Sequence, residues 1–105
     1  MPIKRTLTFT RPTVDTPFWV HGSPVREHIH ETYIATGKVL DLQRVNDATG
    51  LLEVKLVTVF KDNESMEEFL ADPRLDGTHK DREDYHATVN ITKTVEVLEI
   101  SKWPE

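Results

Sequence analysis

An α+β fold of order β-α-β-β-α-β, one four-stranded antiparallel sheet carrying both helices on one face, is predicted for this 105-residue chain by three observations. The start of the chain alternates polar and apolar residues with a period of two, and a stretch near its end is rich in Val, Ile and Thr. The middle reads as two strands joined by a short polar link that ends in glycine. On each side of that pair lies a capped stripe of apolar residues at helical spacing.

Taken in order, Ile3, Arg5, Leu7 and Phe9 alternate with Lys4, Thr6, Thr8 and Thr10, which makes a first strand that stops near Pro12. Residues 13–22 are irregular, with a short helical turn expected at Thr16-Pro17-Phe18-Trp19, Thr16 as its cap and Pro17 in the first helical position. Ser23-Pro24 repeats the cap-then-proline signal. Val25, Ile29 and Tyr33 follow at steps of four and Gly37 supplies a left-handed stop, giving a helix over 24–36. Val39 to Val45 and Leu51 to Phe60 flank Asn46-Asp47-Ala48-Thr49-Gly50 as the arms of a hairpin. Asp62 or Asn63 caps the next helix, whose stripe is Met66, Phe69 and Leu70, and Ser65 with Glu68 offers a capping box one turn later. Because a residue before proline resists helical backbone, Asp72-Pro73 should end or kink that helix. Asp76-Gly77 then punctuates, Thr78 to Thr88 reads as a further, polar helical segment, and Ile91 to Ile100 makes the fourth strand ahead of a tail, Ser101 to Glu105. This is the split motif of ferredoxin-like folds, expected here as a single domain over 1–105.

Composition narrows the function classes. The formal charge of −5 disfavours a polyanionic partner, since phosphate binding draws its affinity from clustered positive charge, so nucleic acid is not expected. The absence of cysteine removes disulfides, thiolate nucleophiles and cysteine-based metal sites. No run approaches the roughly 20 apolar residues of a membrane span, so no membrane partner is expected and a soluble, cytoplasmic protein is.

A sheet with helices on one face should be polar on the other, and here that second face is mixed. Val57 and Val59 stand beside Glu53 and Lys55 in the third strand, while in the fourth Val95 and Val97 lie on one face and Leu98 and Ile100 on the other. A second copy of the chain, packed sheet to sheet, is the expected cover. The alternative is a bulge in the fourth strand that turns all its apolar residues to one core.

The hairpin followed by Lys61-Asp62-Asn63-Glu64-Ser65-Met66-Glu67-Glu68-Phe69-Leu70-Ala71-Asp72-Pro73-Arg74-Leu75 resembles the helix after the third strand in the dimeric α+β barrel superfamily, which includes antibiotic-biosynthesis-type monooxygenases. The resemblance implies a paired sheet and, in each subunit, a cleft between sheet and helices. Residues 13–22 and the polar segment from Thr78 to Thr88 depart from that pattern, and no catalytic residue of the superfamily is placed on this chain.

Arg5, Trp19, His28, Tyr33, Tyr85 and His86 are the candidate lining of such a cleft, because aromatic bodies with polar tips suit a small-molecule pocket and an inward-facing Arg beside it suits an anionic ligand. The competing reading gives Tyr33 to the core stripe, Trp19 to one end of the sheet and the histidines to solvent. Arg5 itself is either a buried cation in need of a carboxylate or the sign of a strand register shifted by one. His28 and His30 point to different sides of a helix, and His79 and His86, which share a face with Arg82, are about 10 Å apart, so no metal is expected. Glu67-Glu68 and Asp81 to Asp84 read as solvated helix faces, and Ser23 and Ser65 as caps. Two functions stay open: a homodimeric module that binds a ligand or partner without catalysis, and a cofactor-independent monooxygenase or isomerase acting on a small apolar molecule. Neither calls for a cofactor. An RNA-binding sheet would need exposed aromatics, yet Phe9 and Phe60 sit on the inward face.

Overall fold

The computed structural model describes residues 1–46 and 52–105. Strands β1 (Ile3–Thr10), β2 (Val39–Asn46), β3 (Glu53–Phe60) and β4 (Thr92–Glu99) form one antiparallel sheet in the order β2-β3-β1-β4. Helices α1 (Ser23–Ile29, running on through a π turn at His30–Ile34), α2 (Asn63–Leu70) and α3 (Pro73–Val89) pack on one face. The topology is the ferredoxin-like one read from the sequence. Asp47 to Gly50 of the expected hairpin turn, with Leu51, lie outside the described residues.

The register shows why alternation was informative. Along β1, Ile3 faces Phe60 and Glu99, Leu7 faces Leu56 and Val95, and Phe9 faces Val54 and Lys93. Ile3, Leu7, Phe9, Val54 and Phe60 are all buried beneath the helices. Arg5 keeps its place in this inward row, opposite Thr58 and Val97, so the register is not shifted. The core divides around it: Ile3, Ile29, Tyr33, Val39, Phe60, Phe69 and Leu75 pack at one end, Leu7, Phe9, Val54 and Ile91 at the other. Each such fully buried side chain stabilises by about 1.5–3 kcal/mol relative to exposure, and Arg5 marks where neither cluster fills the space over the sheet.

Local signals decide most helix ends. Asp62 caps α2, its Oδ1 accepting from the Ser65 amide at 2.8 Å, and Asp72 caps α3 by accepting from the Arg74 amide at 2.8 Å. Gly37, at φ +79°, follows the π turn as the left-handed residue expected there.

Four local expectations are corrected. Ser23 is the first helical residue of α1 rather than its cap, which is Gly22. No helical turn forms at 16–19, because the carbonyls it would use are taken: Thr16 accepts from Arg11 Nη1 at 3.0 Å and Pro17 from the Tyr85 hydroxyl. The polar helix does not begin at Thr78, since α3 starts at Pro73 and runs through Gly77, Leu75 being buried and Arg82 and His86 packing onto the sheet. The bulge lies in β2, between Val39 and Asp41, whereas β4 pairs with β1 without interruption. That shift moves the inward positions of β2 from odd to even numbers, so Leu42 and Arg44, opposite Thr58 and Leu56, turn toward the helices.

On the outer face Val59 is completely buried, and the tail folds back beside it, Lys4 Nζ lying 3.7 Å from Glu105 Oε2. Leu98, opposite Lys4, remains about half exposed there on edge strand β4, while Val95 and Val97, opposite Leu7 and Arg5, are about half exposed on the helix side. No helix among the described residues is long and apolar enough to cross a membrane.

Candidate functional site

Between the two core clusters the helices stand off the sheet and leave a cleft of about 630 Å³. Its floor is Leu7, Leu42, Leu56 and Thr58 with the Arg5 guanidinium; Ile29 and Ile34 of α1 and its π turn, and Phe69 and Leu70 of α2, close it from the helix side. α3 contributes His79 and Arg82 one turn apart on the face that meets the sheet. A smaller cavity of about 200 Å³ adjoins it, sharing His21, Arg26, Arg44, Leu56 and Arg82, and is closed by Phe18, Trp19 and His86.

The lining is held by specific contacts. Arg82 lies over the Phe9 ring, 5.1 Å from its centroid, and His86 is 4.8 Å from the same ring. His21 Nδ1 is 3.1 Å from Thr78 Oγ1, its ring 6.3 Å from that of His79, and its carbonyl accepts from Arg26 Nε at 3.2 Å. Glu83 accepts from Lys93 Nζ at 2.8 Å and lies 3.6 Å from Arg82 Nη2. Three of the lining residues each bury a polar atom without a partner: Trp19 Nε1, Arg82 Nε and His86 Nδ1. Unmet hydrogen-bonding capacity in a buried wall is costly, and it concentrates here.

Charge sets the protonation states. Burial, with the Arg82 guanidinium close by, brings His79 down to about 4, and burial with Arg82 and Arg26 lowers His21 as well. His86 is lowered by burial, against the pull of Glu83. His79, His21 and His86 are therefore neutral at neutral pH and can accept a proton or a hydrogen bond. Arg5 and Arg82 are both lowered by burial, Arg5 also by Arg82 itself.

Of the residues singled out in the sequence, Arg5 lines the larger cavity and Trp19 and His86 the smaller. Tyr85 stands behind them, 5.9 Å from Trp19 and 6.2 Å from His86, with its hydroxyl on the Pro17 carbonyl. His28 and Tyr33 line neither cavity. Their side chains converge on Asp72 Oδ2, at 2.7 Å from His28 Nε2 and 2.6 Å from the Tyr33 hydroxyl, and Tyr33 belongs to the core. His21, Arg26, Arg44, His79 and Arg82 line the cavities without being among the candidates read from the sequence. Arg82 was visible at helical spacing between His79 and His86, but Arg44 was hidden by the parity change at the bulge. Among the described residues, no three His, Asp or Glu side chains gather into a group that could hold a metal.

No family model matches the chain, and no curated protein matches it by sequence. Its fold is shared with solved structures. A proposed antibiotic biosynthesis monooxygenase from Deinococcus radiodurans superposes with a TM-score of 0.59 at 12% identity, over 100% of this chain and 97% of its own. A dimeric ferredoxin-like protein from an uncultured marine organism gives 0.59 at 15%, over 96% of each chain. SnoaB, a cofactor-independent oxygenase from Streptomyces nogalater, gives 0.55 at 13% in a mutant form, over 99% of this chain and 98% of its own. The likeness is one of fold.

Proposed function

We propose that the protein is a homodimer, paired through its sheet, in which each subunit binds a small molecule with a flat or compact apolar body in the cleft between sheet and helices. The observation that carries this reading is the cleft itself. Its volume of about 630 Å³ falls within the roughly 300–1,000 Å³ of small-molecule sites, and its floor is apolar with polar groups converging from the sides. Pairing is supported by Leu98, half exposed on the outer face of edge strand β4, and by the likeness to a protein described as dimeric.

A second reading, chemistry on the bound molecule without a cofactor, is favoured by His79, an imidazole kept neutral down to about pH 4 inside the cleft and so free to take a proton. It is also in keeping with the fold shared with SnoaB. Anthrone, a neutral three-ring ketone, tests both. Under nitrogen it should move the amide resonances of Ile29, Leu42 and Leu56 in the isotope-labelled protein; shifts that avoid these residues would overturn the cleft as the binding site. Admitting air separates the readings. Anthrone and oxygen yield anthraquinone and water, the substrate methylene supplying both hydrogens and both electrons. Oxygen uptake above the protein-free rate supports catalysis, and uptake equal to it supports binding alone.

A further inference from the structure

We propose that the molecule held in the cleft is an acid: a carboxylate, or an equivalent monoanion, seated between Arg5 and Arg82 with its apolar body on Leu7, Leu42 and Leu56. This rests on the cleft reading above and adds the chemistry of the ligand's head group.

The distribution of charge is the first argument. The chain as a whole carries −5, yet the larger cavity is lined by six Lys and Arg side chains against two acidic ones, Asp76 and Glu83. A concave, low-dielectric wall of one sign focuses its field on whatever enters, and an acidic protein gains nothing from concentrating cations in a cleft unless an anion occupies it.

The two arginines supply the second argument. Arg5 occupies an inward position in the central strand, between two apolar clusters, and its guanidinium makes no hydrogen bond or ion pair among the described residues. A half-buried guanidinium has five donors to satisfy and no carboxylate opposite it, an arrangement that is expensive until an acceptor arrives. Arg82 is more than nine-tenths buried, rests on Phe9, and leaves its Nε without a partner. The carboxylate beside it is that of its own chain neighbour, Glu83, at 3.6 Å, and Lys93 holds that group more closely, at 2.8 Å. Burial and the neighbouring Arg82 both push Arg5 below its ordinary range, as two cations sharing one space would. Planar guanidinium groups offer paired donors that match a carboxylate, and the Leu floor beside them takes the rest of the molecule.

The test compares two probes of one shape, 2-naphthoate and 2-naphthamide, titrated calorimetrically into the full chain. The carboxylate is expected to bind at least about tenfold more tightly, as charge-assisted hydrogen bonds do relative to neutral ones. Arg5→Gln should remove that preference by bringing the affinity for the naphthoate down to that for the naphthamide, with Arg82→Gln as the second variant. Because the two-probe comparison runs on the unaltered chain, it stands even if a variant fails to fold. Equal affinities, or no binding of the naphthoate, would overturn the acid-binding proposal while the anthrone shifts continue to decide the cleft separately. A preference that survives both substitutions would overturn the assignment to these arginines.

Discussion

Asp72 does two jobs with two oxygens. Oδ1 caps α3 at the Arg74 amide, and Oδ2 accepts from the Tyr33 hydroxyl and from His28 Nε2. Burial alone would raise its carboxyl, but these hydrogen bonds outweigh burial and bring it down to about 2 from an ordinary 3.8, while the same contact and burial raise the Tyr33 phenol. A carboxyl depressed by folding contributes stability that is complete above its ordinary range and is lost as pH falls through the folded value. Asp72→Asn should therefore lower stability at neutral pH by about 1–3 kcal/mol, because its amide nitrogen must face a donor on one side or the other. Urea melts should also show the unaltered chain losing stability between about pH 4 and pH 2 more steeply than the variant; parallel curves would dismiss this role for Asp72. From the sequence, Asp72-Pro73 is legible as a helix boundary. Its acceptor role is not, since the donors lie 44 and 39 residues away and nothing local announces them.

At the level of elements, the helices expose the limits of local punctuation. The stripe of Val25, Ile29 and Tyr33 and the glycine stop at 37 were readable because helix and stop were specified within a few residues of one another. Gly77 was read as a break and proves to be helical interior, since the burial of Leu75, Arg82 and His86 holds α3 together across a residue that locally disfavours helix. A Cβ added there meets nothing within 4 Å. Gly77→Ala is accordingly expected to raise stability by about 1 kcal/mol, seen as a higher urea midpoint at unchanged slope. A lower midpoint would mean that α3 needs its glycine. The bulge in β2 is the matching case for strands: one shifted residue sends Arg44 toward the cleft, so a strand whose existence was plain did not show which of its side chains reach the site.

For the whole molecule, the proposed pairing can be addressed at one position. Val57 lies on the outer face, opposite Thr6 and Gln43, and is only partly covered within the chain. Val59, wholly buried, would report folding instead of association. Light scattering should give a mass near twice 12.1 kDa for the unaltered chain and a shift toward the monomer for Val57→Lys. A dimer that ignores the lysine would place the interface elsewhere, and a monomeric parent would remove the pairing. The strands and the mixed outer face were legible because strand alternation is a property of consecutive residues. The cleft was not, because it is an unfilled space created where two core clusters part around Arg5.

The segment between β1 and α1 closes the smaller cavity with Phe18, Trp19 and His21, and two hydroxyls of α3 fasten it, that of Tyr85 on the Pro17 carbonyl and that of Thr78 on His21 Nδ1. For the proposed occupant, the floor and its arginines are expected to hold it, and the two fastenings of this segment are expected to set how fast the smaller cavity opens.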